Sequence, residues 1–161
     1  MKLLTHICCA PCALAVKDRA ARDGFDTIAW YFHNPNIQPS DEFDRRMKCA
    51  RDFCGSENME FIESAYMPEI FFNSIREFSA AGGRCRECWS MRIDEAARYA
   101  KNGRFDAFTT TLLASPYQDH GALKGICRQS GERHGADFYY ADFRTYFREA
   151  HYLAKSRGLY C

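Results

Sequence analysis

Lys2-Leu3-Leu4-Thr5-His6-Ile7-Cys8-Cys9-Ala10-Pro11-Cys12 places three thiols in five positions. Apolar and β-branched residues open the stretch, and Pro11 with Ala13-Leu14-Ala15-Val16 closes it. This order predicts a strand, a tight turn and a helix. Proline is accepted in a first helical turn, where its missing N–H would have no intrahelical partner. Thiols at that point meet the positive end of the helix dipole, which favours thiolate, the form that attacks and binds metal. Side chains of adjacent strand residues point to opposite faces. Cys8 and Cys9 therefore share one ligand only if the backbone leaves the strand between them.

Outward from this stretch, strands and helices alternate. Strands are expected over 3–9, 25–32, 59–65, 105–113 and 137–141. Helices are expected over 12–23, 40–53, 68–79, 88–101 and 119–134, with a glycine-containing loop over 80–84. Ser40 is a good helix start, with Asp41 and Glu42 following it. Alternation of this kind implies an α/β domain: a Rossmann-like, three-layer arrangement of a mainly parallel sheet flanked by helices. Ligands of such sheets bind beyond the carboxyl ends of the strands. Cys8-Cys9, Asn34-Pro35-Asn36 and Ser115-Pro116 all fall at such ends.

The 161 residues suit a single domain spanning 1–161, and the formal charge of +1 shows no global pull toward nucleic acid. Nine cysteines, odd in number and clustered, argue against a secreted disulfide framework and for metal or redox chemistry in a reducing cytoplasm. His6 and Pro11 interrupt the apolar N-terminus, so a signal peptide is not expected, and no run approaches the ~20 apolar residues of a membrane span. Arg84-Cys85-Arg86-Glu87-Cys88-Trp89 supplies a second cysteine pair, a CxxC entering a helix. Both groups together offer enough thiolates for zinc or a four-iron cluster. Cys49, Cys54 and Cys127 are read as buried core thiols.

Several stretches resemble the QueH family of epoxyqueuosine reductases. They are HICCAPC at 6–12, FHNPNIQP at 32–39, RCRECWSMR at 84–92, TTTLLASPYQ at 109–118, YYADFR at 139–144 and SRGLY at 156–160. The resemblance implies reductive removal of the epoxide oxygen of epoxyqueuosine in the tRNA anticodon loop, without cobalamin, using an unidentified electron donor. It implies a [4Fe-4S] cluster on Cys8, Cys9, Cys85 and Cys88 and a second iron beside it, with Cys12 able to serve either centre. A C-terminal Cys-Gly-Cys pair is redox-active in the family; Cys161 is what this sequence carries of it, the tail being shortened or not included. Among groups near the strand ends, His33, Tyr117 and Asp119 are candidate proton donors. Asn34, Asn36, Arg84, Arg92 and Ser115 are candidate substrate contacts. Trp89, Tyr117 or Phe32 could stack on an unpaired base, and Arg45, Arg46 and Lys48 form a basic helix face.

Two other classes fit the residues alone. Cys9-Ala10-Pro11-Cys12 after a strand is similar to a thioredoxin-like thiol-disulfide oxidoreductase. The paired cysteine groups also suit a zinc-stabilised RNA-binding module.

Overall fold

The computed structural model describes residues 1–76 and 83–160. Four strands, β1 (Lys2–His6), β2 (Thr27–Phe32), β3 (Glu60–Glu63) and β4 (Ala107–Thr110), form one sheet in the order β3-β2-β1-β4. Every pairing is parallel, with His6 opposite both Tyr31 and Thr110. Six helices flank it: α1 (Ala10–Arg22), α2 (Ser40–Ser56), α3 (Pro68–Ile75), α4 (Gly83–Asn102), α5 (His120–His134) and α6 (Phe147–Ser156). This is the expected α/β three-layer fold. The main core gathers Leu4, Trp30, Phe32, Phe43, Ile93 and Phe108, and Leu3, Ala20, Phe25 and Ala107 form a smaller cluster. α4 packs on α5, and α1 on α6.

The central strands are buried along most of their length and are accordingly near-continuous apolar runs. Asp119 caps α5 by accepting from the Ala122 N–H at 2.9 Å, and Gly135 ends the helix at φ 66°, a left-handed value suited to glycine.

The differences from expectation bear on the site. β1 stops at His6, and Cys9 is already the extended residue before α1 (φ −164°, ψ 159°). α4 starts at Gly83, not 88, so Cys85 and Cys88 both lie within its first two turns. β4 ends at Thr110 and curls into a 3-10 turn over Thr111–Ala114. The expected strand over 137–141 is a single parallel bridge from Phe108 to Phe138, because four-residue β4 offers only a short edge ladder. α6 was not expected: its buried residues are only Ala150 and Ala154, so no stripe of large apolar residues marks it. Cys161 and most of the loop expected over 80–84 lie outside the described residues.

Candidate metal centre

β1 delivers the chain to the carboxyl edge of the sheet, where the Ile7 N–H still donates to the Tyr31 carbonyl at 3.0 Å. Departure from the strand after this point lets consecutive cysteines meet. The Cys8 and Cys9 sulfurs are 3.8 Å apart, and Cys9 and Cys12 are 3.3 Å apart. All three sulfurs lie within 4.8 Å of one another. Cys12 belongs to the group because it sits in the first turn of α1, for which Cys9 is the N-cap.

A residue from β4's end completes the site. Thr111 Oγ1 accepts from the Cys8 N–H at 3.1 Å and donates to Cys8 Sγ at 3.2 Å. Hydrogen bonds from Cys12 and Cys9, the charge of Arg92 and the Thr111 hydroxyl hold Cys8 well below the ordinary thiol range, against burial. The Cys12 hydrogen bond favours Cys9 thiolate, but the interaction with Cys8, burial and Cys8's charge push Cys9 up instead. Cys12 is raised by its bonds to Cys8 and Cys9 and by burial. Hydrogen bonding among the three sulfurs thus favours a thiolate within this group.

Arg92, only 5% exposed, joins the two cysteine segments. Its Nη1 is 3.9 Å from Cys88 Sγ, and its Nη2 donates to Asn34 Oδ1 at 2.8 Å. Asn34 Nδ2 donates in turn to the Ile7 carbonyl at 2.9 Å. Arg92 and Asn34, expected at the substrate, are buried, and these internal bonds brace the strand ends. Arg92 Nε is buried without a partner among the described residues. Cys88 is half-buried on the same helix face, Cys85 is exposed one turn earlier, and neither joins the three-sulfur group.

His6 and Thr110 form a further support that sequence reasoning missed. His6 Nε2 donates to the His33 carbonyl at 3.1 Å, which can only accept, so the Nδ1 of the neutral ring carries no proton and accepts from Thr110 Oγ1 at 2.9 Å; that hydroxyl oxygen also accepts from the Leu112 N–H. Burial, with Arg92 nearby, lowers His6 to about 3 and keeps it neutral. The signal was a histidine and three threonines in otherwise apolar strand ends.

The remaining expected residues divide. Asn36 Oδ1 is buried and has no hydrogen-bond partner among the described residues. Ser115 Oγ accepts from the Tyr117 N–H at 3.3 Å in a turn. Tyr117 is 85% exposed, touching Phe147 edge-on, and Arg84 is exposed at the start of α4. Trp89 and Phe32 are core residues and offer no stacking surface. The α2 cations are engaged: Arg46 with Glu42 at 2.6 Å, Lys48 with Asp52 at 2.5 Å, and Arg45 on the Tyr160 ring. Cys54 and Cys127 are buried as expected, and half-buried Cys49 accepts from the Tyr160 N–H at 3.2 Å.

His33 lies on a cavity of about 550 Å³ between the ends of β2 and β3 and α4, bordered by Tyr31, Ser64, Glu87, Met91 and Glu95 among others. Its Nδ1 meets Ser64 Oγ at 3.0 Å, and that hydroxyl donates to the Phe32 carbonyl at 3.1 Å. The serine proton is directed away, so His33 donates from Nδ1 and keeps a lone pair on Nε2.

A family model described as "Epoxyqueuosine reductase QueH" matches residues 3–161. A Dehalococcoides mccartyi protein of that name is 31% identical over 160 residues, covering 99% of this chain and 86% of the relative. One from Thermotoga maritima is 28% identical over 166 residues, covering 98% and 84%. One from Streptococcus pyogenes is 32% identical over 133 residues, covering 77% of this chain and 51% of the relative, so this chain spans about half the length its counterpart has.

Proposed function

Because this chain belongs to the epoxyqueuosine reductase QueH family, we propose that it converts epoxyqueuosine in the tRNA anticodon loop to queuosine. The reaction takes two electrons and two protons, breaks both carbon–oxygen bonds of the epoxide and releases water, leaving an alkene. Electrons come from an external reductant.

The observation that carries this reading is the assembly of Cys8, Cys9 and Cys12 at the carboxyl edge of the parallel sheet, where such folds bind ligands. The donor set fits an iron–sulfur group: three clustered sulfurs, one favoured as thiolate, and a buried Arg92 Nε with no acceptor among the described residues. Cys8, Cys9, Cys85 and Cys88 would hold a [4Fe-4S] cluster, with Cys12 placed for the cluster or a second iron. When bound, such a cluster supplies low-potential electrons one at a time. Thr111 and Arg92 stabilise negative charge on the Cys8 sulfur, and hydrogen bonds to ligand sulfur of this kind tune a centre's potential. The Asn34–Arg92 brace holds α4 against β1 and β2. Arg84 and Tyr117, exposed near the rim, offer a phosphate contact and a stacking face. No described helix is long and apolar enough to cross a membrane, which is compatible with a cytoplasmic tRNA-modifying role.

The test is anaerobic turnover of epoxyqueuosine-containing tRNA with a chemical reductant, followed by nucleoside analysis and by iron and sulfide determination. Queuosine formation by a brown, iron-loaded protein is expected. A colourless protein with stoichiometric zinc and no turnover would support the binding-module alternative and overturn the assignment.

A further inference from the structure

The cavity beside His33 is built for a particular kind of group. At about 550 Å³ it falls within the range of small-molecule sites. Three carboxylates and two arginines line it. Asp94 is paired with Arg133 and His134, and Glu95 with Arg98 and the Tyr31 hydroxyl. Glu87 has no hydrogen-bond or ion-pair partner among the described residues, so its charge is the one left uncompensated. A cation therefore suits this wall better than an anion.

His33 supplies the second polar feature. The residue is 8% exposed, and its ring is fixed on two sides. Tyr31 stacks on it at 5.9 Å with the planes 9° apart, and Ser64 Oγ accepts a hydrogen bond from its Nδ1–H. Burial and the charges of Arg92 and Arg98 oppose protonation, more than Glu95 favours it. What remains is Nε2, an acceptor on the cavity wall in a preset orientation. Both groups are tied to the cysteine segments through the chain: Glu87 directly precedes Cys88 on α4, and the His33 backbone carbonyl accepts from His6, two residues before Cys8.

We propose that this cavity receives the aminomethyl-linked cyclopentane diol of the modified base, with His33 Nε2 accepting from a ring hydroxyl and Glu87 pairing with the secondary ammonium. The assignment rests on the function proposed above and deepens it. His33 is then a specificity-determining acceptor, and the sequence-based expectation that it donates the proton is replaced. Recognition of a hydroxyl and a cation at fixed positions selects the modified nucleotide over plain guanine, because guanine leaves the buried His33 acceptor and the half-buried Glu87 carboxylate without partners.

The experiment compares binding of epoxyqueuosine-containing tRNA and of the same tRNA with unmodified guanine, together with steady-state turnover of the former. His33→Asn retains a bond to Ser64 but loses the far acceptor, and KM is expected to rise about fivefold, the scale of one neutral hydrogen bond. His33→Gln places an amide oxygen near the Nε2 position and is expected to stay within about twofold. Glu87→Gln is expected to raise KM about thirtyfold, the scale of a bond to a charged group. Binding of the unmodified tRNA should not change in any variant. Equal weakening toward both tRNAs, or wild-type KM in His33→Asn and Glu87→Gln, overturns the pocket assignment while wild-type turnover leaves the reductase reading intact. Absence of wild-type turnover overturns the reductase reading itself.

Discussion

Replacing Thr111 with valine removes one hydroxyl and almost nothing else, and that hydroxyl has two roles at the cysteine centre. It donates to the Cys8 sulfur at 3.2 Å and accepts from the Cys8 N–H at 3.1 Å. Valine keeps the β-branched shape that the 3-10 turn after β4 accommodates. A hydrogen bond to a charged group is worth about 1.5–3 kcal/mol, and each pKa unit corresponds to about 1.4 kcal/mol. The donor favours thiolate, so its loss weakens the charged form and raises the Cys8 pKa. The Cys8 N–H is left unpaired in a partly buried site, which lowers folding stability by about 1–3 kcal/mol. The assay is a pH titration of ultraviolet thiolate absorbance in metal-free, reduced protein kept under argon. Cys9, Cys12, Cys54 and Cys127 are all pushed above the ordinary range, so they do not mask an acidic step. Loss or an upward shift of the acidic step in Cys8→Ser shows that the step needs the Cys8 sulfur. Thr111→Ser, which retains the hydroxyl, should titrate like the wild type. If a folded Thr111→Val protein reproduces the wild-type curve, the hydroxyl does not hold the sulfur and the description of the centre's electrostatics is wrong.

Three other outcomes are expected. Gly125 and Gly131 lie in one helix, yet alanine should act oppositely at the two. At Gly125 a Cβ meets nothing within 4 Å, so stability rises by about 1 kcal/mol from helix propensity. At Gly131 a Cβ would stand 2.7 Å from the Ala136 carbonyl oxygen, and overpacking of about 1–3 kcal/mol outweighs that gain. Urea unfolding of both variants measures the pair, and a stabilised Gly131→Ala would refute the contact. Acid should weaken the fold through His6: its folded pKa is about 3, so the unfolded chain alone takes up a proton below about 6.5. That stability is fully present above the unfolded value and falls as pH drops, by about 2 kcal/mol at pH 5. Unfolding of metal-free wild type and His6→Gln at neutral and acidic pH should show the smaller slope in the variant. Finally, Cys9→Ala and Cys88→Ala should each lose iron and activity while Cys127→Ala retains both; full iron content in the first two, measured after anaerobic purification, would withdraw them as ligands.

Local chemistry was legible along the chain. An apolar run, a proline and small helix-forming residues mark β1 and α1, Asp119 and Gly135 bracket α5, and strand–helix alternation implies the parallel sheet that is found. Even the meeting of Cys9 and Cys12 is local, because an N-cap and the third helical residue face the same side of one turn. α6 was illegible because alanines bury without leaving an apolar stripe, and Trp89 and Phe32 gave no hint of which aromatic would face inward. What the sequence could not contain is who stands opposite whom. Thr111 reaches Cys8 across 103 positions because β4 pairs with β1, and Ser64 orients His33 because β3 follows β2 in the sheet. Arg92 reaches Asn34 because α4 packs over the same strand ends. Periodicity reports only which face of an element is buried. The order in which elements pack decides which polar groups meet at the sheet edge, and there the chemistry of this protein is set.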